Sequence, residues 1–66
     1  MRASYKKLWK ILIDKDMTKT DLRKSIGVSS DTIAKMTNGG DISMAVIMKI
    51  CNLLNCDIGD VVEIVR

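Results

Sequence analysis

The sequence has no histidine, no proline and no phenylalanine, and only two cysteines among its 66 residues. A zinc site would need more ligands than Cys51 and Cys56, so we expect no metal. The chain also lacks a serine–base pair and a glycine-rich phosphate loop, so an enzyme is not expected. These absences predict a protein without catalytic residues and without a cofactor.

Cysteine content and hydrophobic runs indicate the compartment. A secreted protein of this size usually carries more cysteines, evenly paired, so we interpret Cys51 and Cys56 as small buried hydrophobic side chains in a reducing environment. The apolar run at residues 11–13 is too short for a signal peptide, and Asp14 closes it. The longest uncharged apolar run, ISMAVIM, ends at Lys49 and is too short to span a membrane. We therefore expect a cytoplasmic protein without membrane contact.

Size and charge limit the architecture and the partners. Residues 1–66 are expected to form a single domain, and a hydrophobic content of 47% is enough for a core. The net charge is +3, with +5 over residues 1–24 and −2 over residues 25–66. A basic N-terminal half suits a polyanion such as nucleic acid, although a merely solvated helix face would have the same charge.

Helical periodicity dominates the first half of the chain. Apolar residues recur at three- and four-residue spacing over residues 4–15, which predicts a first helix with Ser4 as its cap. Thr18 begins a second helix over about residues 18–26, because T-x-x-D is a variant of the capping box. Gly27 ends this helix, since glycine adopts the left-handed conformation at low cost.

The rest of the chain predicts further short elements. Ser29 is the expected N-cap of a third helix over about residues 29–38, which ends at an Asn-Gly-Gly turn. Ser43 caps a fourth helix, and residues 58–62 fit a short fifth helix. The β-branched tail, residues 63–65, also suits a strand. The predicted fold class is all-α, a compact bundle of four to five short helices with a short C-terminal β-strand as an option.

The expected core draws apolar side chains from all five helices. Its members are Leu8, Ile11, Leu22, Ile26, Ile33, Met36, Met44, Ile47, Ile50, Leu54, Ile58 and Val61. This core is aliphatic, because Tyr5 and Trp9 are the only aromatic residues in the chain.

The second and third helices have the spacing of a helix-turn-helix motif. A short helix, a turn of about three to four residues containing glycine and a second short helix define this motif. In a helical projection of the third helix, Ile33 and Met36 point inward, and a broad face of short polar side chains points outward. Such a helix can enter a major groove about 12 Å wide. An ordinary amphipathic surface helix has the same projection, so the projection alone leaves both interpretations open.

The run TKTDLRKSIGVSSDTIAKMTNG resembles the helix-turn-helix of the phage-repressor-like Cro/XRE family. In that family an x-Thr/Gln-x-x-Leu segment precedes Gly-Val-Ser, and a recognition helix with an inward Ile ends at Asn-Gly. The continuation ISMAVIMKICNLLNCDIGDVV is similar to the family's fourth and fifth helices, so the resemblance covers roughly residues 8–62. It implies a lambda-repressor-like fold. It also implies sequence-specific binding of double-stranded DNA by a small transcriptional regulator, in most cases a repressor that occupies an operator.

The resemblance also implies roles for individual residues. The residues implied to face base edges are Ser30, Asp31 and Lys35. Those implied to approach phosphates are Thr18, Lys19, Ser29 and Asn38. Thr18 and Lys19 also lie at the positive N-terminus of the predicted second helix, which is a natural anion site. The backbone amides of Gly39 and Gly40 are a further candidate phosphate site, and Asp31 and Lys35 could instead pair with each other at i, i+4 spacing.

Two features depart from the family pattern. Arg23 stands where the family usually has a small alanine packed against the recognition helix, so it must extend outward or hold the helices slightly apart. The recognition helix is nearly neutral, because Asp31 offsets Lys35. Because of these features, we expect the electrostatic attraction for DNA to come mainly from Lys19, Arg23, Lys24 and the first helix, and less from the recognition helix.

Further apolar residues remain outside the expected core and are in excess for a small monomer. They include Trp9, Val46, Met48, Leu53, Val62, Ile64 and Val65. A small monomer rarely exposes so many, and repressor-like domains bind half-sites as symmetric dimers. We therefore expect a homodimer through the fourth and fifth helices and the tail, with Leu53, Val62 and Ile64 in the interface. Scattered exposed apolar residues are the alternative.

The surplus apolar surface and the weakly charged recognition helix also favour a second function. On the same scaffold the chain could be a protein-interaction module, similar to an antitoxin, with a protein partner and with DNA binding secondary.

Overall fold

The computed structural model describes residues 2–66 and confirms the all-α fold class. The helices are α1 (Lys6–Asp14), α2 (Lys19–Ile26), α3 (Ser30–Thr37), α4 (Met44–Leu54) and α5 (Ile58–Val61), and the strands are β1 (Arg2–Ser4) and β2 (Glu63–Val65). Helix α4 packs against α2 and α5, while α1 packs against α5 and α2 against α3. Among the described residues, no helix has the length and apolarity needed to cross a membrane.

The C-terminal strand is present, and its partner comes from the other end of the chain. β2 pairs antiparallel with β1, with Ala3 opposite Ile64 at the centre of the register. The prediction that Ser4 caps the first helix is wrong, because Ser4 belongs to β1. The N-cap position of α1 is Tyr5, which makes no side-chain capping hydrogen bond. Ser4 therefore pairs in a strand, although its capping propensity alone predicted that it would start the helix.

Side-chain caps fix the start of α2 and α3. Thr18 Oγ1 accepts a hydrogen bond from the Asp21 N–H, and Asp21 Oδ2 accepts one from the Thr18 N–H, each at 3.0 Å. This is the predicted capping box. Gly27 ends α2 with φ of 70°, in the left-handed region where glycine is favoured. Ser29 Oγ then accepts from the Thr32 N–H at 3.4 Å, as expected for the N-cap of α3.

The core is aliphatic apart from Tyr5, and most of its predicted members are buried. The largest fully buried side chains are Leu8, Leu22, Met36, Ile50 and Val61. Tyr5, which the sequence did not assign to the core, is also buried, and this burial raises the pKa of its hydroxyl, with a smaller contribution from Asp41.

Two predicted core residues are instead exposed. Met44 is 56% exposed and Ile58 is 39% exposed. Each is the first residue of its helix, whereas the buried members of the same faces, such as Ile47 and Val61, lie further along. Ile11 and Ile33 are half-buried and pack against the core from its margin. Hydrophobic periodicity indicates which face of a helix is buried but not how far along the helix that face is covered.

The two cysteines lie together at the C-terminal end of α4. Both are free and half-buried, and both pack against the core. The Cys56 N–H donates to the Cys51 carbonyl at 3.1 Å, around Asn55 in the left-handed conformation. This 6→1 bond satisfies a carbonyl of the last turn, as in a Schellman motif. Burial raises the pKa of the Cys56 thiol, and the neighbouring Cys51 and Asp60 add to this effect.

Acid is expected to weaken the fold through the capping box of α2. The hydrogen bond from the Thr18 N–H, with a second contribution from the Thr18 hydroxyl, holds the pKa of Asp21 below its ordinary value of 3.8. A carboxyl with a lowered folded-state pKa stabilises the fold above its unfolded pKa, and this stability is lost as the pH falls through the folded pKa. Urea unfolding of the wild type and Asp21→Asn, at about pH 7 and below about pH 4, measures this contribution.

The variant should lose part of the acid sensitivity that the wild type shows. Asp14→Asn is the matched control, because Asp14 is an exposed carboxylate on α1 outside any capping box. Equal acid sensitivity in the wild type and Asp21→Asn would contradict this role of Asp21.

Candidate nucleic-acid interface

Helix α3 is held to the core along one narrow edge. Met36 is 2% exposed, and Ile33 and Thr32 are half-buried. The remaining side chains of the helix and its C-cap are exposed, namely Ser30, Asp31, Ala34, Lys35, Thr37 and Asn38. The helix therefore presents a broad face of short or polar side chains, as the helical projection indicated.

The three base-facing candidates, Ser30, Asp31 and Lys35, all lie on exposed positions of α3. Among the residues that the structure describes, the one ion pair joins Lys7 and Glu63 at 3.5 Å. Asp31 and Lys35 are therefore not paired with each other. Lys35 carries an uncompensated charge on the outer face of the helix, where a guanine edge or a phosphate could accept a hydrogen bond.

Lys19 is fixed at the junction of three helices. Its ammonium donates to Thr37 Oγ1 at 3.3 Å and lies 4.3 Å from the centre of the Trp9 ring. Thr37 Oγ1 in turn donates to the Ile33 carbonyl at 3.1 Å. These contacts connect the first residue of α2 to the last residue of α3, with α1 supplying the aromatic ring. No sequence signal indicates this arrangement, because the three residues are distant along the chain.

The candidate phosphate site on the backbone amides after α3 is wrong. The Gly39 N–H donates to the Met36 carbonyl at 3.2 Å, and the Gly40 N–H donates to the Lys35 carbonyl at 2.7 Å. Both amides thus complete the C-terminal turns of α3 and are not directed to a ligand. The Asn38 side chain is exposed at the same end of the helix.

β1 adds a cation that sequence reasoning missed. Gly39 has φ of 74°, and a Cβ there would lie 3.0 Å from the Ala3 carbonyl oxygen and 3.8 Å from Arg2 Cδ. The turn after α3 therefore packs directly against β1. An open cleft of about 330 Å³ lies here, and the side chains that line it include Arg2, Lys6, Trp9, Thr37 and Asn38. No acidic residue is among the described residues that line the cleft.

Arg23 lies half-buried between α2 and α3. It borders a small cleft of about 110 Å³ together with Lys19, Thr20, Ser30 and Ile33. An open groove between the two helices thus lies beside this arginine. Arg23 is the second basic side chain that lines this cleft, together with Lys19 and near Ser30 at the start of α3.

Sequence comparison identifies the family. Residues 7–66 match the profile of the Cro/C1-type HTH DNA-binding domain. The chain belongs to this family. The crystal structure of the transcriptional regulator VanUg (Form II) is similar, with 52% sequence identity and a TM-score of 0.90, and the match covers 94% of this chain and 83% of that chain. A search of the curated proteins finds no match.

The family match confirms the resemblance that the helix-turn-helix run indicated. It makes the molecule a DNA-binding domain of the Cro/C1 type. α2 and α3 correspond to the two helices predicted for the helix-turn-helix, and the candidate DNA interface lies on them.

Proposed function

We propose that the chain is a small transcriptional regulator that binds a specific double-stranded sequence through α3 and represses by occupying an operator. The observation that carries this proposal is the exposed polar face of α3. Side-chain caps at Thr18 and Ser29 and the turn at Gly27 hold α2 and α3 so that this face points away from the core. The similarity to a transcriptional regulator over 94% of this chain supports it.

The proposed contacts divide into base reading and backbone positioning. Ser30, Asp31 and Lys35 are the base-facing residues, with Lys35 as the donor to guanine. The phosphate-facing residues are Thr18, Lys19, Ser29 and Asn38. To these we add Arg2 and Lys6, because both line the cleft at the C-terminal end of α3.

The charge distribution supports phosphate binding by the N-terminal half. The basic residues near α3 come from β1, α1 and α2, and they surround both ends of the helix. Phosphate contacts supply affinity and orientation, whereas contacts to base edges supply specificity. A recognition helix with little net charge is compatible with this division, since its basic neighbours provide the attraction.

We further propose that two copies bind together as a homodimer. Leu53 is 41% exposed and Ile64 is 58% exposed, while Val62 packs partly against the core of its own chain. Met48, 64% exposed, lies on the same helix as Leu53. A two-fold contact through α4, α5 and β2 would bury these side chains and place two recognition helices on one duplex.

A protein-interaction module is the second candidate function. The exposed apolar side chains that favour it extend beyond the proposed dimer contact and include Ile13 at 72% and Met44 at 56%. In this alternative a protein partner covers the apolar surface, and binding to duplex DNA is secondary or absent.

One titration separates the two functions. Binding of the chain to random and to selected duplexes is measured at several salt concentrations, together with the number of chains bound per duplex. A regulator is expected to show a preferred sequence, two chains per site and a steep negative slope of log K against log salt, about 0.9 per phosphate contact. Absence of duplex binding even at low salt would overturn the proposed function.

A further inference from the structure

The contacts of Lys19 form a small built unit at the edge of the helix-turn-helix. We define the Lys19 clamp as Trp9, Lys19 and Thr37. Trp9 is half-buried on α1, while Lys19 and Thr37 are exposed at the start of α2 and the end of α3. The ammonium lies 4.3 Å from the ring centre and 3.3 Å from Thr37 Oγ1. A surface lysine is thus held by two side chains from two other helices.

The direction of the hydrogen bonds in the clamp leaves N–H groups of the Lys19 ammonium available to a ligand. Thr37 Oγ1 uses its hydrogen for the Ile33 carbonyl, at 3.1 Å, so it meets Lys19 as an acceptor. An ammonium has three N–H donors, and this contact uses one of them. The aromatic face attracts the cation but carries no formal charge that would cancel it. Lys19 is therefore oriented, and its charge is not neutralised.

We propose that Trp9 and Thr37 are positioning residues that hold the Lys19 ammonium ready for one phosphate of the DNA backbone. This inference rests on the proposed function, since it concerns how that interface gains affinity. A free lysine side chain loses rotamer freedom when it binds, and this loss weakens the contact. The contacts with Trp9 and Thr37 already restrict the Lys19 side chain in the free protein, so less rotamer freedom is lost when DNA binds.

A double-mutant cycle tests the clamp. The duplex dissociation constant is measured for the wild type, Trp9→Leu, Thr37→Val, Lys19→Ala and the doubles that combine Lys19→Ala with each of the other two. Trp9→Leu and Thr37→Val are each expected to raise the Kd about two- to tenfold, the range for ordering one long side chain. Each should have little further effect in the Lys19→Ala background, because no ammonium is left to position.

The salt dependence of binding separates loss of the Lys19 charge from loss of its positioning, and the Trp9→Phe variant tests whether an aromatic face restores that positioning. Lys19→Ala should reduce the magnitude of the log–log slope by about 0.9, because one phosphate contact is lost. Trp9→Leu and Thr37→Val should leave the slope near that of the wild type, because the charge remains. Trp9→Phe, which keeps an aromatic face, should recover most of the affinity lost in Trp9→Leu.

Two controls keep the test decisive. Lys49→Ala removes the same charge from an exposed position on α4, and its effect should add to that of Trp9→Leu without coupling. Thr37 is exposed, so Thr37→Val tests the clamp even where Trp9→Leu impairs folding. Full additivity of Thr37→Val with Lys19→Ala, or wild-type affinity in Thr37→Val, overturns the clamp and leaves the proposed function standing. Failure of the wild type to bind any duplex overturns the proposed function itself.

Discussion

Replacing Ala34 by glutamate is expected to remove duplex binding almost completely while leaving the fold intact. Ala34 is exposed in the middle of α3, on the side opposite the buried Met36. A carboxylate there would face the phosphates and the acceptor-rich edges of the groove. Juxtaposed like charges cost several kcal/mol, which corresponds to a loss of affinity of about 100-fold or more. The exposed position leaves the helix free to form, and glutamate is a good helix former.

Two control substitutions distinguish the effect of a negative charge on α3 from the effects of side-chain size and of the overall net charge. Ala34→Gln adds nearly the same volume without the charge, so its loss of affinity should be much smaller. Asn52→Glu adds the same charge at an exposed position of α4, and it should weaken binding only through the general attraction. Fluorescence anisotropy with a labelled duplex measures all three, and circular dichroism checks the fold. Equal loss in Ala34→Glu and Asn52→Glu would show that α3 does not face the DNA.

Replacing Ile50 by alanine is expected to unfold a large fraction of the protein. Ile50 is 0% exposed in the middle of α4, the helix that packs against both α2 and α5. Removing such a side chain costs about 2–5 kcal/mol through lost transfer energy and the cavity left behind. A core of this size supplies only about 3–5 kcal/mol in total, so little stability remains. Urea unfolding followed by circular dichroism should show a strongly lowered midpoint or no folded baseline.

Ile13→Ala is the matched control for the core substitution. Ile13 is 72% exposed on α1, so the same chemical change there should alter the free energy of unfolding by no more than about 0.5 kcal/mol. A midpoint for Ile50→Ala close to that of the wild type would contradict the placement of α4 at the centre of the core.

The helix-turn-helix could be predicted from sequence because its signals are local. The Thr18–Asp21 capping box, Gly27 and the Ser29 cap each lie within a few residues of the helix end that they define. Their mechanisms act through the backbone of the same turn, so a single sequence is enough to find them. The exposed face of α3 followed from the three-residue spacing of Ile33 and Met36, which places both on one side of the helix.

The parts that sequence reasoning missed depend on contacts between distant segments. Arg2–Ser4 form a strand only because Glu63–Val65 lie beside them, and nothing in the first residues signals that pairing. The position of Arg2 beside Gly39 and the clamp around Lys19 follow from the same kind of long-range packing. The Gly39 and Gly40 amides could not be assigned from sequence, because whether they bond a ligand or the preceding helix turn depends on the backbone path after α3.

The most direct measurement of the central claim, that α3 reads base edges, is a selection of duplexes from random DNA by the wild type and by Lys35→Ala. Lys35 is exposed on the outer face of α3 and has no carboxylate partner among residues 2–66. If α3 lies in the major groove, the wild type selects a defined sequence. The variant should then lose preference at one base pair per half-site, by about 1–3 kcal/mol, while keeping the rest. A uniform loss of affinity across all sequences, or no enriched sequence for the wild type, would contradict a base-reading role for α3.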